Sequence, residues 1–180
     1  AYSRLQSDPR ALAWSFLKAI RLVMLISCPL YFGMAVTAYP LVETLFGPKW
    51  IDMSPFVAIL ALAMPVMTLQ ILFTPANNAL GRPQVTARTN MFGAVLMPVT
   101  FLIAIQYGAY GLAWGWVIAF PLLTIFTYSQ SHRHIGVSAR EIGRAVWPGL
   151  SASAAMAAIV YGVDQLLPAM IVYMRLVLLV

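Results

Sequence analysis

Charged residues are scarce in this chain. Only 9% of its 180 residues are Asp, Glu, Lys or Arg, whereas soluble domains carry roughly 25%. Hydrophobic residues make up 62% of the chain, and so short a chain cannot hide that much apolar surface in a soluble core. Lipid removes the difficulty because it replaces water around the apolar side chains. The composition therefore excludes a soluble globular domain and predicts an integral membrane protein.

Residues that carry catalysis or bind metals are also few. The chain has five acidic residues, one cysteine (Cys28), and two histidines (His132 and His134). No Cys, Asp or Glu completes a ligand set near the histidines. No Gly-rich phosphate loop precedes a lysine, and no carboxylates are paired at useful spacing. We therefore expect no enzyme activity, no metal site and no cofactor.

Long uncharged runs are abundant instead, and a bilayer core needs about 20 apolar residues of helix. The run 89–131 is too long for one crossing because a single helix would reach roughly 65 Å. It must fold back at QYGAYG, where Gly108 and Gly111 flank aromatic residues. The sequence predicts an all-α protein with about six transmembrane helices, at about 22–44, 54–76, 85–106, 111–129, 145–163 and 168–180.

The stretch before the first span is amphipathic. Five apolar residues share one helical face, and Arg10, Lys18 and Arg21 fall on another; the apolar five are Ala13, Phe16, Leu17, Ile20 and Met24. We predict that residues 1–21 form an amphipathic helix at the cytoplasmic surface, leading into a helix bundle over residues 22–180. The alternative is that this stretch is simply the water-exposed end of the first transmembrane helix.

Basic residues set the expected orientation. A net charge of +6 does not indicate a nucleic-acid partner here, because the basic residues lie between apolar blocks. The links alternate between sides, and one side holds only Lys49. The other side holds nine basic residues: Arg4, Arg10, Lys18, Arg21, Arg82, Arg88, Arg133, Arg140 and Arg144. This asymmetry places the nine in the cytoplasm.

Prolines and small residues recur within the spans. Proline removes a helix hydrogen bond and favours a kink, which suits a transporter that changes shape, although proline is also common in ordinary membrane helices. Small residues four apart let helix backbones approach closely. The prolines are Pro29, Pro65, Pro98 and Pro121, and the small-residue stripes are Gly111, Gly115, Ala119 and Gly149, Ser153, Ala157.

Polar side chains near the spans are the candidates for a binding site. A guanidinium in lipid is costly, so Arg88 should face a cavity or a partner. The alternative is that Arg88 reaches back to the cytoplasmic surface. The polar residues near or within the spans are Gln70, Asn77, Asn78, Arg88, Gln106 and Arg175.

Several pieces of the chain together resemble one protein family. In order they are YSRLQSDP, CPLYFGMAV, LVETLFGPKW, NNALGRPQV and YGAYGLAWGWVIA. Their order and spacing are similar to those of the Wzx-type polysaccharide flippases of the multidrug/oligosaccharidyl-lipid/polysaccharide exporter superfamily. The resemblance covers about residues 2–165 and implies the second lobe of a two-lobe flippase. Because the chain opens with Ala and ends inside an apolar run, we expect it to be part of a longer protein.

The resemblance implies a function and its partners. The expected task is moving a polyisoprenyl diphosphate-linked oligosaccharide across the bacterial inner membrane, by alternating access, for polysaccharide or lipopolysaccharide biosynthesis. The expected partners are this lipid-linked oligosaccharide, membrane lipid and the missing N-terminal lobe, with no nucleic acid. The candidate substrate-binding residues are Arg82, Arg88, Gln70 and Asn77.

Three other functions remain open at this point. A drug or cation antiporter of the same superfamily would need acidic residues inside spans for ion coupling, and here they avoid the span centres. A membrane-bound polymerase would need a sizeable polar loop, which the sequence lacks. A non-transporting scaffold of a polysaccharide assembly complex is compatible with the composition.

Overall fold

A computed structural model describes residues 9–166 of the chain. The described part contains helices and turns but no strand, which confirms the all-α prediction. Short 3₁₀ turns occur at Pro48–Met53 and Ile105–Tyr107. The helices are α1 (Pro9–Val36), α2 (Ala38–Phe46), α3 (Ser54–Ile71), α4 (Phe73–Ala79), α5 (Pro83–Ala104), α6 (Gly108–Ile135) and α7 (Ala139–Leu166).

Four helical segments of the described chain are long and apolar enough to cross a membrane: Arg10–Val36, Pro48–Ala79, Pro83–Ile135 and Ala139–Val163. The chain is therefore an all-α integral membrane protein. The predicted count of six spans is not confirmed. The predicted sixth span, 168–180, lies outside the described residues, and the third segment contains both α5 and α6.

The third segment folds back on itself as a helical hairpin. The rings of Phe92 and Phe126 stack with centroids 4.1 Å apart, and the ring of Phe101 lies 5.6 Å from that of Trp116. These pairings run in opposite directions along the chain, so α5 and α6 are antiparallel. Gly108 turns the chain with a φ of 70°, a left-handed conformation that glycine adopts without steric cost. The fold-back predicted at QYGAYG is confirmed.

Two other spans are interrupted, and proline explains where. Helix α1 ends at Val36 and α3 ends at Ile71. Proline has no N–H and its ring crowds the carbonyl four residues earlier. Pro40 stands four residues after Val36, and Pro75 stands four residues after Ile71. By contrast, the four prolines singled out from the sequence lie inside helices that continue past them: Pro29, Pro65, Pro98 and Pro121.

The long helices pack side by side in the order α7, α1, α3, α6, α5. Helix α1, which lies between α7 and α3, buries one stripe of side chains at four-residue spacing, as one face of a helix requires. The whole stripe joins residues of α4, the end of α6 and the start of α7 in the main hydrophobic cluster. The buried stripe consists of Leu12, Phe16, Ile20, Met24 and Cys28.

This cluster extends along α1 from Leu12 to Cys28. It brings together the chain ends and links that carry the predicted cytoplasmic residues, from the start of α1, from α4, and from the α6–α7 link. The amphipathic entry helix predicted over residues 1–21 was expected to run into the first span, and from Pro9 onward it does so without a break. Its position at the membrane surface stays a prediction.

Candidate functional site

Asn77 is the most deeply buried of the predicted substrate residues. Its side chain is 1% exposed, and its amide nitrogen Nδ2 donates a hydrogen bond of 2.9 Å to Ser131 Oγ. This bond ties the short helix α4 to α6, which lies 54 residues further along the chain. The other polar atom, Asn77 Oδ1, is buried and accepts no hydrogen bond within the described part of the chain. A buried acceptor without a partner is unusual enough to mark a site of interest.

Arg82 is joined to Asn77 through the backbone. Helix α4 ends in a Schellman motif, in which the N–H of Arg82 donates to the carbonyl of Asn77 and the N–H of Gly81 donates to that of Asn78, both at 3.0 Å. Gly81 supplies the required left-handed residue, with a φ of 68°. Pro83 then begins α5 at the position where proline is favoured. The turn therefore fixes the Arg82 backbone beside the end of α4.

Arg88 and Gln70 complete the predicted set at a distance from this turn. Arg88 is exposed on the second turn of α5, and Gln70 is partly buried in the last turn of α3. No ion pair or hydrogen bond joins either side chain to Asn77 or Arg82 among residues 10–163. The structure thus brings Asn77 and Arg82 together, but it does not tie Arg88 or Gln70 to them.

A second feature was not found from the sequence. A groove of about 550 Å³ opens between the first half of α1 and the start of α7. Three of its lining residues are cations, one is an anion, and the remainder are apolar. The lining residues are Trp14, Leu17, Lys18, Arg21, Leu22, Leu25, Glu141, Arg144 and Ala145. We call this feature the α1–α7 groove.

The one anion of the groove is held by a helix cap. Glu141 Oε2 accepts hydrogen bonds from the backbone N–H of Ser138 at 2.8 Å and from Ser138 Oγ at 2.7 Å. The N–H of Glu141 donates back to Ser138 Oγ at 3.3 Å. This reciprocal pattern is a capping box at the start of α7. The carboxylate is therefore used to cap the helix, and within the described residues it forms no ion pair with Lys18, Arg21 or Arg144.

From the sequence, Lys18, Arg21 and Arg144 were treated as orientation signals, and Lys18 and Arg21 also as the polar face of an amphipathic helix. Lys18 and Arg144 are 126 residues apart, and no local pattern reveals that α1 and α7 are neighbours. The one available signal was that both clusters of charge directly precede an apolar run, at 22 and at 145, which puts them at the same depth of a membrane. Cations at that depth can bind phosphate or carboxylate groups.

The fold defines a class of protein: a multi-pass helical membrane protein. Comparison with known proteins adds the biological setting. Residues 1–55 match a family model described as "Polysaccharide biosynthesis protein". These residues include three of the motifs on which the resemblance rests.

Two curated relatives match over most of this chain. The chain is 26% identical over 152 residues to the lipopolysaccharide biosynthesis protein WzxC of Escherichia coli, a match covering 82% of this chain and 30% of that protein. It is 24% identical over 132 residues to an uncharacterized membrane protein in the cps region of Klebsiella pneumoniae, covering 71% of this chain and 27% of that protein. These matches confirm the resemblance to membrane proteins of polysaccharide biosynthesis.

The chain spans about a third or less of the length of the curated relatives it matches. No solved structure matches it significantly.

Proposed function

We propose that this chain is one lobe of a transporter that moves a polyisoprenyl diphosphate-linked oligosaccharide across the bacterial inner membrane. The product would enter polysaccharide or lipopolysaccharide biosynthesis. The observation that carries the proposal is the match over 152 residues to the lipopolysaccharide biosynthesis protein WzxC. The family description of residues 1–55 supports the same setting.

The polar sugar is the part of this substrate that cannot cross the lipid without help. Each buried polar group without a hydrogen bond costs several kcal/mol in an apolar medium, so an oligosaccharide does not cross lipid unaided. A cavity between two lobes would shield the sugar while the polyisoprenyl tail stays in lipid. In this proposal the row of helices described above is one wall of the cavity, and the N-terminal lobe supplies the other. Alternating access then follows from rocking of the two lobes.

The interrupted helices support this reading. In secondary transporters, substrate sites often lie where membrane helices are broken. The break between α3 and α4 lies at Leu72, two residues after Gln70 and five before Asn77. Arg82 lies three residues after the end of α4 at Ala79. Three of the four candidate residues, Gln70, Asn77 and Arg82, therefore flank one broken helix.

The arginines have the charge for the diphosphate. Arg82 directly precedes α5 and Arg88 lies on its second turn. Neither forms an ion pair within the part of the chain that is described. Guanidinium groups bind phosphate oxygens through charge-assisted and often paired hydrogen bonds. A diphosphate arriving from the cytoplasm would meet these two residues first.

Complementation of polysaccharide export tests this role. The intact protein and its Arg88→Ala and Arg88→Lys variants are expressed in a strain lacking the chromosomal copy, and export is normalised to the amount of protein in the membrane. We expect Arg88→Ala to lose export per molecule. We expect Arg88→Lys to keep part of it if charge alone is required, and little if paired hydrogen bonds are required.

Arg133→Ala is the matched control, because Arg133 is an exposed arginine predicted on the same side of the membrane. It should keep export per molecule. If Arg88→Ala also exports at the unmodified rate per molecule, Arg88 is an orientation signal and does not contact substrate.

A further inference from the structure

The α1–α7 groove combines two surfaces that suit a membrane lipid. One end carries three cations, Lys18, Arg21 and Arg144, which are exposed side chains directly before two apolar runs. The wall beyond them is apolar, with Leu22 at 54% and Leu25 at 40% exposure. A ligand that fits must therefore carry negative charge at one end and a hydrocarbon chain at the other.

The protein neutralises only part of the groove's charge, because among the described lining residues one carboxylate, Glu141, stands against three cations. Glu141 interacts electrostatically with Arg144, but its carboxylate is hydrogen-bonded to the backbone N–H and the hydroxyl of Ser138. Lys18 Nζ instead lies 5.0 Å from the ring centroid of Trp14, a cation–π contact that holds the ammonium in place without cancelling its charge. Trp14 is 64% exposed, and tryptophan is enriched where a membrane meets water.

We propose that the α1–α7 groove binds an anionic glycerophospholipid, with its headgroup phosphate between Lys18 and Arg144 and one acyl chain along Leu22 and Leu25. Basic pockets between membrane helices bind anionic lipid headgroups in this way. The groove opens outward at Trp14 and Leu22, so the bulk lipid of the bilayer reaches it directly. This binding site is separate from Arg82 and Arg88 and does not depend on the proposed transport.

Lipid retention by the intact protein tests the assignment. The purified protein in detergent is titrated with phosphatidylglycerol or with phosphatidylcholine, and bound lipid is counted by native mass spectrometry. We expect phosphatidylglycerol to bind more tightly than the zwitterionic lipid. Each cation near a membrane surface contributes about 1 kcal/mol to anionic-lipid binding, so Lys18→Gln or Arg144→Gln should weaken phosphatidylglycerol binding about five-fold.

Three variants sharpen the test. Lys18→Gln combined with Arg144→Gln should weaken binding about 30-fold if the two contributions add. Arg133→Gln combined with Arg140→Gln removes the same charge from exposed positions outside the groove and should leave binding within about two-fold. Lys18→Arg combined with Arg144→Lys keeps the charge and should keep the lipid. If the Lys18→Gln, Arg144→Gln double variant does not fold, the two single variants are compared with the control instead.

Two results would overturn the proposal. One is equal loss of phosphatidylglycerol in the groove and control variants, because the lipid would then be held by overall charge. The other is a groove that retains polyisoprenyl diphosphate in a Lys18-dependent manner while showing no preference for phosphatidylglycerol, because its ligand would then be the lipid carrier.

Discussion

Gly149 of α7 lies directly against the backbone carbonyl of Met24 in α1. A Cβ atom placed on Gly149 would come within 2.7 Å of Met24 O and 3.0 Å of the Met24 carbonyl carbon. Both atoms belong to the backbone of a helix and cannot turn aside as a flexible side chain can. Glycine at this position therefore sets the distance between α1 and α7, and with it the shape of the α1–α7 groove.

Gly149→Ala should destabilise the protein. The added methyl group overpacks the contact with Met24, at a cost of about 1–3 kcal/mol. Gly143→Ala is the matched control on the same helix, because no atom lies within 4 Å of its Cβ position and alanine favours helix by up to about 1 kcal/mol. Thermal unfolding of the intact protein in detergent should show a lower midpoint for Gly149→Ala only. Equal unfolding midpoints for the two variants would show that Gly149 does not set the distance between α1 and α7.

The α5–α6 hairpin depends on a second close approach. A Cβ on Gly115 lies 3.3 Å from Ala104 Cβ and 3.5 Å from Phe101 Cδ1, so a leucine there would push α6 away from α5. We expect Gly115→Leu to reduce the amount of folded protein in the membrane more than Leu112→Ala does. The fraction that elutes as a single species from a sizing column measures this. Equal recovery of the two variants would contradict the packing role of Gly115.

The buried Asn77–Ser131 hydrogen bond should contribute to stability. Ser131→Ala leaves the amide of Asn77 without its 2.9 Å partner, at a cost of about 1–3 kcal/mol for a buried donor. Ser129→Ala on the same helix removes only an exposed bond to the carbonyl of Phe126 and should change stability by about 0.5 kcal/mol or less. If both variants unfold at the same temperature, the bond does not hold α4 to α6.

Membrane orientation can be measured by cysteine labelling in a variant without Cys28. The predicted topology places Asp52 outside the cytoplasm and Ala139 inside it. An impermeant thiol reagent added to intact cells should label Asp52→Cys and leave Ala139→Cys unlabelled until the cells are opened. Both positions are exposed, so accessibility within the protein does not bias the comparison. Labelling of Ala139→Cys from outside would reverse the orientation.

Length and composition were enough to predict the membrane class and the fold-back near Gly108. A bilayer crossing needs about 20 residues of helix. The 43-residue uncharged run is about twice that length, so it must form a hairpin. The breaks after Val36 and Ile71 were also readable, four residues before Pro40 and Pro75, but the prolines singled out were others. Boundaries therefore shifted: the predicted span 22–44 is divided between α1 and α2, and 54–76 between α3 and α4.

The α1–α7 groove could not be predicted, because it depends on which helices become neighbours. The sequence around Lys18 does not predict that Arg144 lies near it in the fold. The same limit applies to the candidate substrate residues. Their polarity was visible in the sequence, but the bond from Asn77 to Ser131 and the outward position of Arg88 depend on packing between distant parts of the chain. Whether these residues contact substrate stays a prediction.

Direct observation of translocation tests the proposed function most sharply. The intact protein is reconstituted into vesicles containing a polyisoprenyl diphosphate-linked oligosaccharide with a fluorescent sugar, and an impermeant quencher is added outside. With the protein, sugars from the inner leaflet should become accessible faster than in protein-free vesicles, and Arg88→Ala should slow this rate. A rate equal to that of protein-free vesicles would contradict transport of the lipid-linked oligosaccharide and leave the antiporter and the scaffold as the alternatives.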